Sequence, residues 1–160
     1  MMFGWNDQME KNRGSCLCGA VRYEVTGAFA HFLLCHCTHC RKDTGSAHAA
    51  NLFAPDGTLH WMAGEEHVAR FSLTGTRHVR SFCRECGSGL PHVSAEGVVV
   101  PAGSLDTVPS KTPDAHLHVR SRASWDDGFA GLPAFETLPG DSQDSGHGSE
   151  GKAAPAFIER

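Results

Sequence analysis

The chain has 160 residues, 40% of them hydrophobic, and a formal net charge of −4. That is long enough for one domain with a real core, and the charge has the wrong sign for a phosphate-backbone binder, so nucleic acid is not an expected partner. No stretch approaches the roughly 20 apolar residues of a membrane span and "MMFGWNDQMEKNRG" has no apolar run of signal-peptide length, so the expectation is a protein neither secreted nor membrane-bound.

In chain order, residues 1–13 read as a flexible N-terminus and residues 14–138 as a single zinc-binding domain. "CLCG" brings Cys16 and Cys18, and "VRYEV" follows, with Val21, Tyr23 and Val25 at the period-2 spacing of a half-buried strand. "LCHCTHCRKDTG" then carries Cys35, Cys37 and Cys40. The segment after Cys37 is predicted to make one or two helical turns stopped by Gly45. Shorter strand signals recur in "AHAANLF", "LHWM", "HVARFSL", "HVRSF", "GVVV" and "HLHV", separated by Gly, Pro, Asp and Asn. Arg77, Arg80 and Arg84 read as a solvated strand face, and His116 and His118 as one face of a strand without chemistry. Residues 139–160, rich in Gly, Ser and charge, read as a flexible tail. The expected fold is mainly β with only short helices.

The seven cysteines are odd in number, so they cannot all pair, and their spacings suit metal loops in a reducing cytoplasm better than a secreted disulfide framework. "CLCG" and "CRECG" both place a glycine after the second sulfur. A metal knuckle turns the chain tightly, and glycine tolerates the positive φ such a turn requires. Cys16, Cys18, Cys83 and Cys86 therefore read as two halves of one closed structural zinc site.

Cys35, Cys37 and Cys40 are followed by Arg41 instead. Three protein ligands with a fourth position left for water or substrate is the arrangement of a catalytic zinc. His36, His39, Asp43, His48 or His92 is the alternative fourth ligand, which would make a second structural zinc. Iron–sulfur ligation has the wrong spacing. Covalent haem attachment fails because Arg41, not histidine, follows Cys40, and a redox C-x-x-C lacks the βαβ context. A zinc held by three thiolates carries net negative charge and is a weak Lewis acid, whereas three histidines leave the ion its full charge. Such a soft site is suited to holding an incoming thiol, of free pKa about 8.5, as its thiolate beside a small electrophile such as an aldehyde. His36 and His39 are candidate proton carriers. Arg41 and Lys42 are candidate attractors of a carboxylate-bearing thiol.

With its cysteines sorted into C-x-C, C-x-C-x-x-C and C-x-x-C-G, the chain resembles the glutathione-dependent formaldehyde-activating enzyme family, whose domain is shared with centromere protein V. The resemblance runs from "GSCLCGAVRYEV" through "LCHCTHCRKDTGSAHA", "FCRECGSGL" and "AGSLD" to "SRASWDDGFAGLPAFE". It implies a β-tent, Mss4-like fold, two Zn2+ per chain, and a carbon–sulfur lyase that condenses glutathione with formaldehyde to S-hydroxymethylglutathione. Under this reading the partners are glutathione or another small thiol and a small aldehyde. The alternatives are a non-catalytic zinc-stabilised binding module, which the centromere branch supplies, and a glutathione carrier without turnover.

Overall fold

The computed structural model describes residues 10–137. Most of the N-terminal segment, residues 1–9, and the tail of residues 139–160 lie outside the described residues. The chain divides into two compact units, one ending at Ala123 and one beginning at Ser124, whereas the sequence suggested one domain continuing to residue 138.

Among the described residues the first unit has eleven strands, one short α-helix and a few 3-10 turns. The strands and the α-helix are β1 (Lys11–Ser15), β2 (Arg22–Thr26), β3 (His31–Cys35), α1 (Thr38–Thr44), β4 (Ala49–Ala54), β5 (Thr58–Ala63) and β6 (Val68–Ser72). They continue with β7 (Val79–Cys83), β8 (Gly89–Leu90), β9 (His92–Ser94), β10 (Gly97–Pro101) and β11 (Ala115–Leu117). The strands form three sheets, ordered β1-β2-β5, β11-β3-β4-β10-β9 and β6-β7-β8. The fold is thus mainly β with only short helical turns, as the alternation of apolar residues predicted. Among the described residues no helix is long and apolar enough to cross a membrane.

Period-2 alternation decides which side chains enter the core. In β4 and β10 the partners Leu52 and Val100 are fully buried, while their neighbours Asn51, Phe53 and Val99 point to the other face and line a cleft. Val21, Tyr23, Val25, Leu90 and Val98 belong to the same buried cluster. Each such aliphatic or aromatic side chain contributes roughly 1.5–3 kcal/mol on burial. Tyr23 buries its ring edge-on to Trp61 at 6.2 Å and keeps its hydroxyl satisfied 2.6 Å from Ser104 Oγ.

Three features depart from the sequence reading. Residues 11–13, assigned to the N-terminal segment, are the first part of β1 and pair with β2. Charge hid this strand: Lys11 and Arg13 flank the buried Glu24 at 3.6 and 3.0 Å, and the Arg13 hydrogen bond holds the Glu24 carboxyl below the usual carboxylate range. β3 was concealed differently, because "HFLLC" is a continuous apolar run that periodicity alone does not classify. Finally, His116 and His118 do not share a strand face. β11 ends at Leu117, and His118 takes a left-handed φ of 55° that turns the chain into a 3-10 turn.

The second unit, within the described residues, consists of bends and a 3-10 turn at Phe129–Gly131, with the Trp125 and Phe129 rings 6.5 Å apart.

Candidate metal and thiol site

Two cysteine clusters stand where the spacing placed them. Cys16 and Cys18 lie in the turn between β1 and β2. Cys83 ends β7, and Cys86 sits in the turn before β8. Although 65 residues separate Cys18 from Cys83, their sulfurs are 3.9 Å apart, Cys16 and Cys18 are 3.5 Å apart, and all four sulfurs fall within 4.8 Å of one another. A tetrahedral ion with metal–sulfur bonds of about 2.3 Å requires sulfur–sulfur edges of about 3.8 Å, so this donor set fits such an ion. Gly19 and Gly87, one after each knuckle, have φ of 75° and 74°, the conformation their position predicted.

The surroundings favour thiolate at Cys16 and Cys86 but not at Cys18. The Val21 N–H donates to Cys16 Sγ at 3.2 Å, and Leu17 N–H donates to Ser88 Oγ, itself 3.3 Å from Cys86 Sγ. The Ser88 hydroxyl and N–H bring the Cys86 thiol down to about 6. At Cys18 the Ala20 N–H favours the thiolate, but the Cys16 sulfur and burial outweigh it and push the thiol up to about 12. Crowded sulfurs of this kind resist carrying several negative charges together, and a dication relieves that repulsion.

The three-cysteine cluster is formed by a strand running into a helix. Cys35 ends β3, Cys37 is the N-cap of α1, and Cys40 follows in the first turn. Cys37 is extended (φ −65°, ψ 158°) and its sulfur accepts from the Cys40 N–H at 3.4 Å, the role a serine or aspartate plays at other N-caps. Gly45 closes the helix with φ 63° and an N–H bond to Arg41 O. Burial opposes the Cys37 thiolate, but the N–H groups of Cys40 and His39 and the adjacent thiols outweigh it and lower its pKa; burial raises those of Cys35 and Cys40.

Among the described residues this group of mutually close donors stops at three sulfurs, with no histidine or carboxylate completing it within 4.8 Å. Of the fourth ligands considered, His36 is buried and places Nε2 2.8 Å from His116 Nδ1, with the His48 ring 5.1 Å away. His39, Asp43 and His92 line an open cleft of about 1190 Å3 instead.

Cys35, Cys37 and Cys40 all line this cleft, as does Cys16 of the other cluster. The floor is mainly apolar, made by Leu33, Phe53 and Val99 on the face of the sheet opposite the core. Asn51, opposite Leu33, and His92, opposite Val99, interrupt it. An apolar cavity with a few convergent polar groups is the usual form of a small-molecule site. His92 is held toward its neutral form by burial, with Arg70 and His78 adding to the effect.

Arg80 closes one side. Its guanidinium donates to the Asp43 carbonyl and carboxylate at the end of α1 and to the Gly87 carbonyl, the last at 3.1 Å. It is therefore not the solvated charge its strand pattern suggested, and it ties the helix bearing Cys40 to the knuckle bearing Cys86. Arg41 and Lys42 do not line the cleft; Arg77 and Arg80 are its cationic residues. His78 was missed altogether, since nothing in "TRHVRSF" connects it to "CHCTHC".

The chain is similar to known proteins over most of its length. The profile of the glutathione-dependent formaldehyde-activating enzyme family matches residues 11–121. A Halomonas elongata protein named for the same enzyme family is 33% identical over 141 residues, covering 75% of this chain and 87% of its own length. A crystal structure of a Rhodobacter sphaeroides protein is 30% identical with a TM-score of 0.49, covering 65% of this chain and 98% of its own. By the extent of the family match and the identity to its relative, this chain belongs to the glutathione-dependent formaldehyde-activating enzyme family.

Proposed function

We propose that the cleft joins a small thiol, glutathione or a close analogue, to formaldehyde or another small aldehyde, the reaction of a zinc-dependent carbon–sulfur lyase of the S-hydroxymethylglutathione synthase type. The observation that carries this reading is the three-sulfur cluster on the cleft wall, without a fourth protein donor among the described residues. Cys35, Cys37 and Cys40 would hold a catalytic Zn2+, and Cys16, Cys18, Cys83 and Cys86 a structural one. The catalytic ion would supply charge that favours the thiolate of a bound thiol near neutral pH.

The chain's own residues supply binding and orientation. Leu33, Phe53 and Val99 offer an apolar floor that limits water around a bound carbonyl, and Asn51 offers an amide for a polar group of the thiol. The seven free thiols suit the reducing cytoplasm in which such a thiol is abundant.

The test is transfer of 13C-formaldehyde to glutathione, followed by NMR for the native protein and Cys37→Ser. The reading expects native protein to accelerate adduct formation and the variant to fall to the uncatalysed rate while still folding. Glutathione binding without acceleration would instead support a carrier. Absence of both binding and acceleration would support a non-catalytic module.

A further inference from the structure

Condensing a thiol with an aldehyde removes a proton from sulfur and delivers one to oxygen, and histidine is the side chain best matched to that exchange near neutrality. His36, although interleaved with the sulfurs, is 1% exposed, turned toward His116 and His48, and does not line the cleft. His92 faces the cleft but is held toward neutrality by burial. His39 faces it from the first turn of α1, and its ring lies 5.6 Å from that of His78.

Among the described histidines that line the cleft, His39, His78, His92 and His118, His78 is the one with a carboxylate within ion-pair distance; His67 also has one, Glu85, but does not line the cleft. Its side chain is 18% exposed, its Nε2 lies 3.5 Å from Asp43 Oδ2, and Asp43 Oδ1 is held by Arg80. Asp43 stands on α1 three residues after Cys40 and four after His39, so all three occupy one side of the helix. A carboxylate clamped on one oxygen and facing an imidazole with the other is the geometry that orients a proton-transferring histidine.

We infer that His78, positioned by Asp43, is the proton-transfer residue of the cleft. This rests on the thiol–aldehyde reading above. His78 takes the proton leaving the thiol; the sulfur electron pair forms the carbon–sulfur bond and the carbonyl π pair moves onto oxygen. The same proton then passes from His78 to that oxygen. Nothing is oxidised or reduced, and the reverse sequence releases the aldehyde. The charged and titratable groups facing His78 are Asp43 and His39 from α1, Arg80 two residues along β7, and His92 from β9.

The test compares native protein, His78→Gln, His39→Gln and Asp43→Asn in the formaldehyde–glutathione assay across pH, with glutathione affinity measured by calorimetry and metal content by mass spectrometry. For His78→Gln the expected result is a kcat lower by roughly a hundredfold or more, loss of the acid limb of the kcat/KM profile, and unchanged glutathione affinity and metal content. Asp43→Asn, acting through His78, is expected to shift that limb and lose less. If His78→Gln folds poorly, His78→Ala with added imidazole gives a second reading, and restoration that rises with imidazole base supports the role. Native turnover with an unaltered His78→Gln rate and pH profile overturns the inference and leaves the condensation standing. So does loss of the limb in His39→Gln alone. Native protein without turnover removes the condensation reading itself.

Discussion

The two cysteine clusters use the same donor and differ in how the chain delivers it. At the knuckle, four sulfurs arrive from two turns far apart in sequence, each followed by a glycine with positive φ, and the set is complete. At the helix start, three cysteines arrive from one continuous strand-to-helix segment and all three line the cleft, which Cys16 alone of the knuckle reaches. A donor set that joins distant segments holds them together when an ion binds, so its energy enters folding. A set gathered from one segment closes no long loop and is available for exchange at its open side. The difference separates a cluster whose loss should unfold the domain from one whose loss should silence it.

The sharpest way to break that contrast is to remove one sulfur from each. Cys83 is fully buried and belongs to the knuckle. Cys83→Ser is expected to abolish the cooperative thermal transition or lower it by more than about 15 °C, because structural zinc can contribute on the order of 10 kcal/mol to folding. Cys37→Ser is expected to shift it by only a few degrees. Comparable losses in calorimetry would erase the distinction.

A smaller effect is expected at Arg80, which touches both regions through Asp43 and Gly87. Arg80→Met leaves those carbonyls and the carboxylate without the guanidinium and should destabilise by about 1–3 kcal/mol, the usual consequence of stranding a partly buried polar group. It should also loosen metal at the three-cysteine cluster more than at the knuckle. Cobalt(II) loading read by thiolate charge-transfer absorption checks this, and identical affinities for both ions in native and variant would count against the bridge.

The smallest effects are at glycines. An added Cβ at Gly87 or Gly45 meets nothing within 4 Å, so substitution is governed by φ of 74° and 63° alone. Alanine at either should destabilise by about 1 kcal/mol. Gly87→Ala is expected to weaken the knuckle's metal, and Gly45→Ala that of the helix start, each without the other.

The knuckles, Gly45 and the strand β2, from "VRYEV", were legible because their information is local: a spacing, a glycine, a period of two. β1 was not, since its residues pair Lys11 and Arg13 with Glu24 on a neighbouring strand and show no apolar alternation. The cleft was least legible. His78 and Asp43 are 35 positions apart yet in contact, and Arg80 carries the pattern of an exposed strand residue while bonding the end of α1 and the turn at Gly87. Such meetings depend on how the sheets pack, and short-range patterns hold no record of them. His118 shows the converse, a residue whose alternation suggested a strand and whose backbone turns instead.

The most direct test of the central contrast is metal content per chain during stepwise chelation, with and without glutathione, for native protein and Cys37→Ser. The account predicts one zinc that leaves readily, is retained longer with glutathione and is absent from the variant, and a second that stays until the domain unfolds. Two zincs that leave together, or that both resist chelation with no response to glutathione, would contradict it.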